Sequence, residues 1–228
     1  MEGSSPLFLT TRWTLLDQVK APEGGAALDE LCRRYWGPVY SFLRRSGCAE
    51  ADAEDLTQDF FHDFMERDGF SRAEREKGRF RSFLLGCVRN HFANARKAAS
   101  RQKRGGGYEF VEVNEELDGG DGLSPEQAFD KRWAEDLVDR ALLRLKAEWE
   151  ENGRPFDVLA PFLSGERGAV SLAETADKLG VSLAATKSAV HRLRKRLGDL
   201  VKEEVSATLG SEDDASDELE HLLQLLSR

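Results

Sequence analysis

The segment SLAETADKLGVSLAATKSAVHRLRKRLGDL, residues 171–200, carries the strongest structural signal in the chain. Ser171 followed three residues later by Glu174 is a capping box, which predicts a helix beginning there. Gly180 lies where a helix commonly ends in a left-handed residue, and Ser182 suits the N-cap of a second helix. A short helix, a glycine turn and a basic second helix form the helix-turn-helix pattern, which any small helical hairpin can also imitate.

The second helix of this segment has the composition of a surface that binds duplex DNA. Between Thr186 and Leu197 there are five bases and no acid. Arg and Lys bind phosphates and reach guanine edges in the major groove, while Ser and His hydrogen-bond base edges. The alternative is a solvated basic face. The predicted contacts lie off the apolar stripe of the helix and are Lys187, Ser188, His191, Arg192 and Lys195.

Apolar residues in the first half of the chain also recur at the helical spacing. One stripe runs from Leu28 to Leu43, a second from Ala53 to Phe64 and a third from Phe80 to Ala95. Asp52 is placed to cap the second of these helices. Short connections between three amphipathic helices favour an antiparallel bundle around one core.

The helical pattern stops after Arg104 and resumes at Ser124. The intervening residues are rich in Gly and acids, which is typical of a linker. Pro125 suits the first position of a long amphipathic helix. A final stripe of Leu219, Leu222, Leu223 and Leu226 predicts a short C-terminal helix.

These patterns predict an all-α chain. Two small helical domains are joined by an acidic, Gly-rich linker, and the second contains the helix-turn-helix. The predicted bounds are 1–104 for the first domain, 105–125 for the linker, 126–205 for the second domain and 206–228 for an acidic tail with a short amphipathic helix.

The composition excludes several classes of protein. The chain has 228 residues, a formal net charge of -9 and 40% hydrophobic residues, which is enough for packed cores but wrong for a simple basic nucleic-acid coat. No apolar run approaches the roughly 18 residues of a membrane span, so no membrane insertion is predicted. The N-terminus has no signal-peptide layout, which favours the cytoplasm. Three widely spaced cysteines indicate buried free thiols rather than a zinc site.

The charges are strongly segregated along the chain. From Glu50 to Asp68 there are eight acids and one base, and from Glu109 to Glu126 seven acids and no base. From Arg72 to Arg104 there are eleven bases and two acids. Aromatic residues are interleaved with these bases. This combination binds single-stranded nucleic acid where the rings are exposed, and the alternative is that the rings are buried in the core. Alternating blocks indicate both a cationic and an anionic partner.

Catalytic signatures are weak. Asp59 and His62 form one carboxylate-x-x-His pair, whereas a di-metal bundle needs two such pairs and further inward carboxylates. The sequence has no Walker loop, no Gly-x-Ser-x-Gly and no plausible Cys/His couple. We expect no enzyme activity, no catalytic residue, no metal and no cofactor, and we interpret the acidic helix as a docking surface or a solvated face.

Three segments, in order, resemble bacterial RNA polymerase sigma factors of the extracytoplasmic-function (ECF) group. Residues 52–61, DAEDLTQDFF, resemble the acidic motif of that family, and residues 80–90, FRSFLLGCVRN, resemble the motif that follows it. Residues 181–197 resemble its promoter-reading helix, with Lys187-Ser188 and His191-Arg192 in the expected places.

The resemblance implies a transcription initiation factor that binds core RNA polymerase and promoter DNA. The first domain would dock on the polymerase through Asp52, Glu54, Asp55, Gln58 and Asp59. Its third helix would hold the melted −10 element through Arg81, Arg89, Asn90, Asn94, Lys97 and Arg101. The second domain would recognise the −35 element as duplex through the five residues named above, and the linker would thread the polymerase cleft.

Three further points stay open at the level of sequence. The alternative function is a helix-turn-helix DNA-binding regulator that acts without entering RNA polymerase. Regulation by an anti-sigma factor or another partner is compatible with the resemblance. The leucine-rich tail is interpreted either as a cover for an apolar patch on the second domain or as a segment that responds to a regulator.

Overall fold

The computed structural model describes residues 12–21, 23–74, 77–101, 108, 122–163, 171–209 and 215–226. The structure is mostly helical (81%) and has no strand in these residues, which agrees with the all-α prediction. The chain divides into two compact units. The first unit comprises Met1–Asp136 with Val205–Arg228, and the second comprises Leu137–Glu204. The bounds predicted above for the two domains, the linker and the tail remain a prediction.

The first unit is built on four helices from the N-terminal half of the chain. These are α1 (Arg12–Val19), α2 (Gly25–Arg45), α3 (Glu50–Glu66) and α4 (Phe80–Arg101). Helix α2 contacts the other three, and α3 also contacts α4. The predicted stripes form the core, whose buried members include Leu31, Tyr35, Val39, Phe42, Leu43, Ala53, Leu56, Phe60, Phe64, Phe80, Leu84 and Val88.

Phe80 lies at the centre of the aromatic core of the first unit. Its ring is 5.2 Å from that of Tyr35, 6.1 Å from that of Phe70 and 6.5 Å from that of Trp13. Edge-to-face and stacked rings at these separations add to the free energy gained by burying their area. The ring of Phe80 thereby ties α4 to α1, to α2 and to the segment between α3 and α4.

The start of α3 differs from the prediction. The helix begins at Glu50 after Ala49, whose side chain makes no capping hydrogen bond. Asp52 therefore lies inside the first turn, and its assignment as the N-cap was wrong. The chain is already helical two residues earlier because Glu50 and Ala51 are good helix formers. Both carboxylates in this turn interact favourably with the positive end of the helix dipole.

Helix α5 (Pro125–Glu151) has residues in both units. Ser124 and Gln127 cap it reciprocally, since the Gln127 backbone N–H donates to Ser124 Oγ at 3.2 Å and the Ser124 backbone N–H donates to Gln127 Oε1 at 2.9 Å. Pro125 occupies the first helical position, as predicted. The predicted stripe is fully buried and comprises Phe129, Trp133, Leu137, Ala141 and Leu145.

The second unit adds α6 (Phe156–Leu159), a 3-10 turn (Ala160–Phe162), α7 (Leu172–Leu179) and most of α8 (Leu183–Ser206). Its buried core consists of Ala141, Leu145, Trp149, Phe156, Leu159, Val190, Leu193 and Leu200.

The predicted caps of α7 and α8 and the glycine turn between these helices are confirmed. Ser171 Oγ accepts hydrogen bonds from the backbone N–H groups of Ala173 and Glu174. Gly180 ends α7 in the left-handed conformation, at φ 62° and ψ 33°. Ser182 Oγ accepts from the Ala185 backbone N–H at 3.2 Å at the start of α8. These caps fix the turn that joins the two helices.

Helix α9 (Ala215–Leu226) belongs to the first unit. It buries Glu218, Leu222 and Leu225. Leu223 and Leu226, which the predicted stripe placed inward, are exposed. The buried face is rotated from the predicted stripe because the carboxylate of Glu218 has a buried charged partner that helical periodicity does not reveal.

Of the predicted linker before Gly122, only Tyr108 lies within the described residues. Cys48 is buried, Cys32 and Cys87 are half-buried, and all three are free thiols. Within the part of the chain that the structure covers, no helix has the length and apolar content of a membrane span.

Candidate functional site

Helix α3 presents an acidic face, defined as the exposed residues Glu54, Asp55, Gln58 and Asp59 together with the half-buried Asp52. The opposite side of the helix buries Ala53, Leu56 and Phe60 against the core. With 3.6 residues per turn, that apolar stripe directs the intervening acids outward. All five predicted docking residues thus lie on one helix, and four of them are exposed.

Tyr108 contacts this acidic face. Its hydroxyl donates a hydrogen bond to Asp59 Oδ2. Burial raises the pKa of Tyr108, and the hydrogen bond and negative charge of Asp59, with the charges of Asp55 and Asp52, raise it further. The phenol is therefore protonated at neutral pH and acts as a donor. Tyr108 lies in the predicted linker, and no local sequence pattern indicates this contact.

Helix α4 presents a basic face, defined as the exposed residues Arg89, Asn90, Asn94, Lys97 and Arg101. From Asn90 onward these residues are spaced four, three and four apart, which keeps them on one side of the helix. Arg89 Nε lies 3.6 Å from Glu126 Oε1. The face combines cations for phosphates with amides that both donate to and accept from base edges.

Arg81 does not share this face. It is only 5% exposed, whereas the resemblance predicted an exposed DNA contact. Arg81 Nη2 lies 2.9 Å from Glu218 Oε1, Arg81 Nε lies 3.4 Å from Asp130 Oδ1, and its Cζ lies 4.4 Å from the Trp133 ring centroid. Two carboxylates and an aromatic ring enclose the guanidinium, so its predicted role requires that this enclosure open.

A cavity of about 460 Å³ lies between α3 and α4. Its lining brings together Asp59 of the acidic face, Asn90 and Asn94 of the basic face, and His91. His91 Nδ1 lies 3.6 Å from Asp63 Oδ2. Burial lowers the pKa of His91 and outweighs the carboxylates of Asp63 and Asp59, which raise it. His91 is therefore predominantly neutral at pH 7.

The predicted duplex-binding residues of α8 are Lys187, Ser188, His191, Arg192 and Lys195, and all five are exposed. The other two bases of the segment, Arg194 and Arg196, make hydrogen bonds within the second unit. The Arg194 guanidinium donates twice to the Phe162 carbonyl, at 2.9 and 2.7 Å. The Arg196 guanidinium donates to both oxygens of Glu148 at 2.7 Å and to Glu203 at 2.9 Å.

These ion pairs alter the titration of both partners. The hydrogen bond to Glu148 is the main reason that the pKa of Arg196 is raised. Burial alone raises the pKa of Glu203, but hydrogen bonds from Arg196 and Arg144 outweigh it and leave that pKa below its ordinary value. Arg194 and Arg196 thus make contacts within the second unit, although Arg194 is itself exposed.

Arg154 lies beside α8 and was not identified from the sequence. Its Cζ lies 5.0 Å from the Trp149 ring centroid. A groove of about 330 Å³ is lined by Arg154, Arg192, Lys195 and Arg196, and also by the acids Glu148 and Asp199. A lone Arg after a glycine turn carries no local signal, so only the fold shows that it continues the basic surface.

The acidic helix also holds a group of metal-type ligands. His62, Asp63 and Glu66 each place one ligand atom within 4.8 Å of the others. Asp59, which the sequence pairs with His62, is not among them. Exposed groups of this kind are common without an ion, and two of the three residues are exposed.

Residues 31–102 match the family model for Sigma-70 region 2. This range includes most of α2 and all of α3 and α4, so it contains both the acidic and the basic face. The match supports the interpretation of the chain as a sigma-70 family factor. No curated protein and no solved structure gives a match to the chain.

Proposed function

We propose that the chain is a promoter-specificity subunit, a sigma factor of the ECF group, that binds core RNA polymerase and directs initiation at −10 and −35 elements. The observation that carries the proposal is the Sigma-70 region 2 match over the helices that display the two charged faces. Sigma factors act by binding, so the proposal assigns no catalytic step and no cofactor. It places the chain in the bacterial cytoplasm, where RNA polymerase works.

The first unit separates two binding tasks. The acidic face of α3 docks on a basic surface of the polymerase, where complementary charge accelerates association and selects the partner. The basic face of α4 holds the melted −10 strand, with Lys97 and Arg101 on phosphates and Asn90 and Asn94 on bases. Placing the two faces on different helices lets both partners bind together.

The helices α7 and α8 supply the duplex contact. We assign them as a helix-turn-helix that reads the −35 element, on the basis of the Gly180 turn and the five exposed residues of α8. Lys187, Arg192 and Lys195 contact phosphates or guanine edges. Ser188 and His191 lie on the exposed side and hydrogen-bond bases.

Charge reversal on α3 tests the docking assignment. Asp55→Lys places a cation on the acidic face, so we expect co-purification with core RNA polymerase to fall by at least tenfold. Glu66→Lys is the matched control, because Glu66 is an exposed acid on the same helix outside the acidic face. Equal co-purification of both variants with core polymerase contradicts the assignment. A parent chain that binds duplex DNA but never core polymerase is instead a DNA-binding regulator.

A further inference from the structure

The C-terminal helix places a buried carboxylate against two arginines of the first unit. Glu218 is 1% exposed. Its Oε2 lies 2.8 Å from Arg79 Nη1, and its Oε1 lies 2.9 Å from Arg81 Nη2. We call Arg79 and Arg81 the arginine pair. Both belong to the basic stretch, at the start of α4 and just before it, whereas Glu218 comes from the other end of the chain.

Helix α9 packs on the first unit through a face that includes the buried residues Glu218, Leu222 and Leu225. Leu222 and Leu225 bury their side chains beside Glu218, while Leu223 is 60% exposed. His221 Nε2 lies 4.0 Å from Asp130 Oδ2, the carboxylate that also contacts Arg81. A helix of 12 residues is only marginally stable by itself in water, so α9 depends on its packing against the first unit.

The arginine pair is suited to a phosphate group. Guanidinium groups attract carboxylates and phosphates alike, because both are anions with several acceptor oxygens. Each oxygen of Glu218 meets a different guanidinium, as two oxygens of a phosphodiester would. Burying a carboxylate is costly without such partners, which explains why this acid lies here rather than in water.

We propose that the arginine pair is a binding site for a backbone phosphate of single-stranded promoter DNA, and that α9 competes for it through Glu218. This rests on the proposed function, and it adds Arg79 to the DNA contacts. Detachment of α9 removes the Glu218 carboxylate from both arginines, while Asp130 and Trp133 of α5 stay beside Arg81. The tail therefore limits DNA binding by the first unit until it is displaced.

The full-length chain tests the competition by fluorescence anisotropy with a labelled single-stranded oligonucleotide over a range of salt. Glu218→Gln removes the competing charge, and Glu220→Gln is the control because Glu220 is an exposed acid on the same helix. We expect the affinity of E218Q to rise at least fivefold above that of E220Q. Its salt slope should steepen by about 0.7 for each arginine that gains a phosphate.

A second pair of variants detaches α9 without touching the carboxylate. Leu222→Glu puts a charge into the buried face of α9, whereas Leu223→Glu puts the same charge on its exposed face. Added negative charge alone weakens DNA binding, so a gain in L222E with none in L223E identifies release of the site. Adding Arg79→Gln to L222E should remove the gain. Circular dichroism and denaturant midpoints establish that each variant is folded.

The competing outcomes are distinct. If E218Q and L222E bind the oligonucleotide like their controls, or are merely less stable, Glu218 is a structural ion pair and the inference is wrong. Failure of the parent chain to bind core polymerase contradicts the proposed function instead, and leaves the measured gain in DNA affinity standing.

Discussion

Duplex binding by α8 should depend on Lys187, Arg192 and Lys195. It should not depend on Arg194 and Arg196, whose guanidinium groups donate hydrogen bonds within the second unit. Lys195 and Arg192 are exposed, so replacing either with Ala removes a positive charge without disturbing the core. Each phosphate contact contributes about 0.9 to the slope of log affinity against log salt on duplex DNA. Lys195→Ala should therefore lower the slope by about 0.9. A fourfold rise in salt should then weaken the variant about 3.5-fold less than the parent.

The assay is anisotropy with a labelled duplex carrying the recognised element, repeated at several salt concentrations. Arg196→Ala is the control, because its guanidinium is committed to Glu148 and Glu203. Arg196→Ala should unfold at a lower denaturant concentration than the parent, yet keep the parental slope of log affinity against log salt. The placement of α8 on DNA is refuted if Lys195→Ala keeps the parental slope, or if Arg196→Ala loses as much slope as Lys195→Ala.

Three further predictions concern the first unit. Phe80 is 1% exposed at the centre of the aromatic core, and Phe80→Ala leaves a cavity there. The variant should lose about 3–5 kcal/mol of the free energy of unfolding in urea titrations, and a loss below about 1 kcal/mol contradicts the packing. Tyr108→Phe removes the hydrogen bond to Asp59, and such bonds to charged groups are worth about 1.5–3 kcal/mol. Since about 1.4 kcal/mol is tenfold in affinity, the affinity for core polymerase should rise about tenfold or more; unchanged affinity in a binding titration means that Tyr108 does not cover the docking face. Burial lowers the pKa of His91 from 6.5, so the unfolded chain takes up a proton before the folded chain does as pH falls. The parent should therefore lose stability below about pH 6.5, and His91→Gln should lose less. Parallel pH profiles of the two proteins in thermal denaturation contradict this.

The helices of this protein follow from local sequence signals. The stripes from Leu31 to Leu43 and from Phe129 to Leu145 are buried as their spacing predicts, and the Ser171 cap and Gly180 turn form as expected. Periodicity and capping act over a few residues, so the sequence alone expresses them.

The remaining features depend on contacts between distant parts of the chain. Arg81 lies in a basic stretch and was expected to be exposed, yet Glu218 and Asp130 make its burial favourable. The same ion pair turns α9 so that Leu225 is inside and Leu223 outside. No local pattern links an arginine near the middle of the chain to an acid near its end.

The exposed residues of the candidate site were largely predictable, because an apolar stripe on a helix fixes which positions face water. The acidic face of α3 and the cations Lys187, Arg192 and Lys195 are examples. The assignment of Arg194 and Arg196 to structural contacts was not predictable, since their partners Phe162 and Glu148 lie on other elements.

The most direct test of the account is transcription by core RNA polymerase reconstituted with the purified chain on a promoter library. We expect transcripts from a defined subset of promoters. These transcripts should depend on the chain, be lost with Asp55→Lys and persist with Glu66→Lys. Transcripts that are the same with and without the chain would contradict its proposed role as a promoter-specificity subunit.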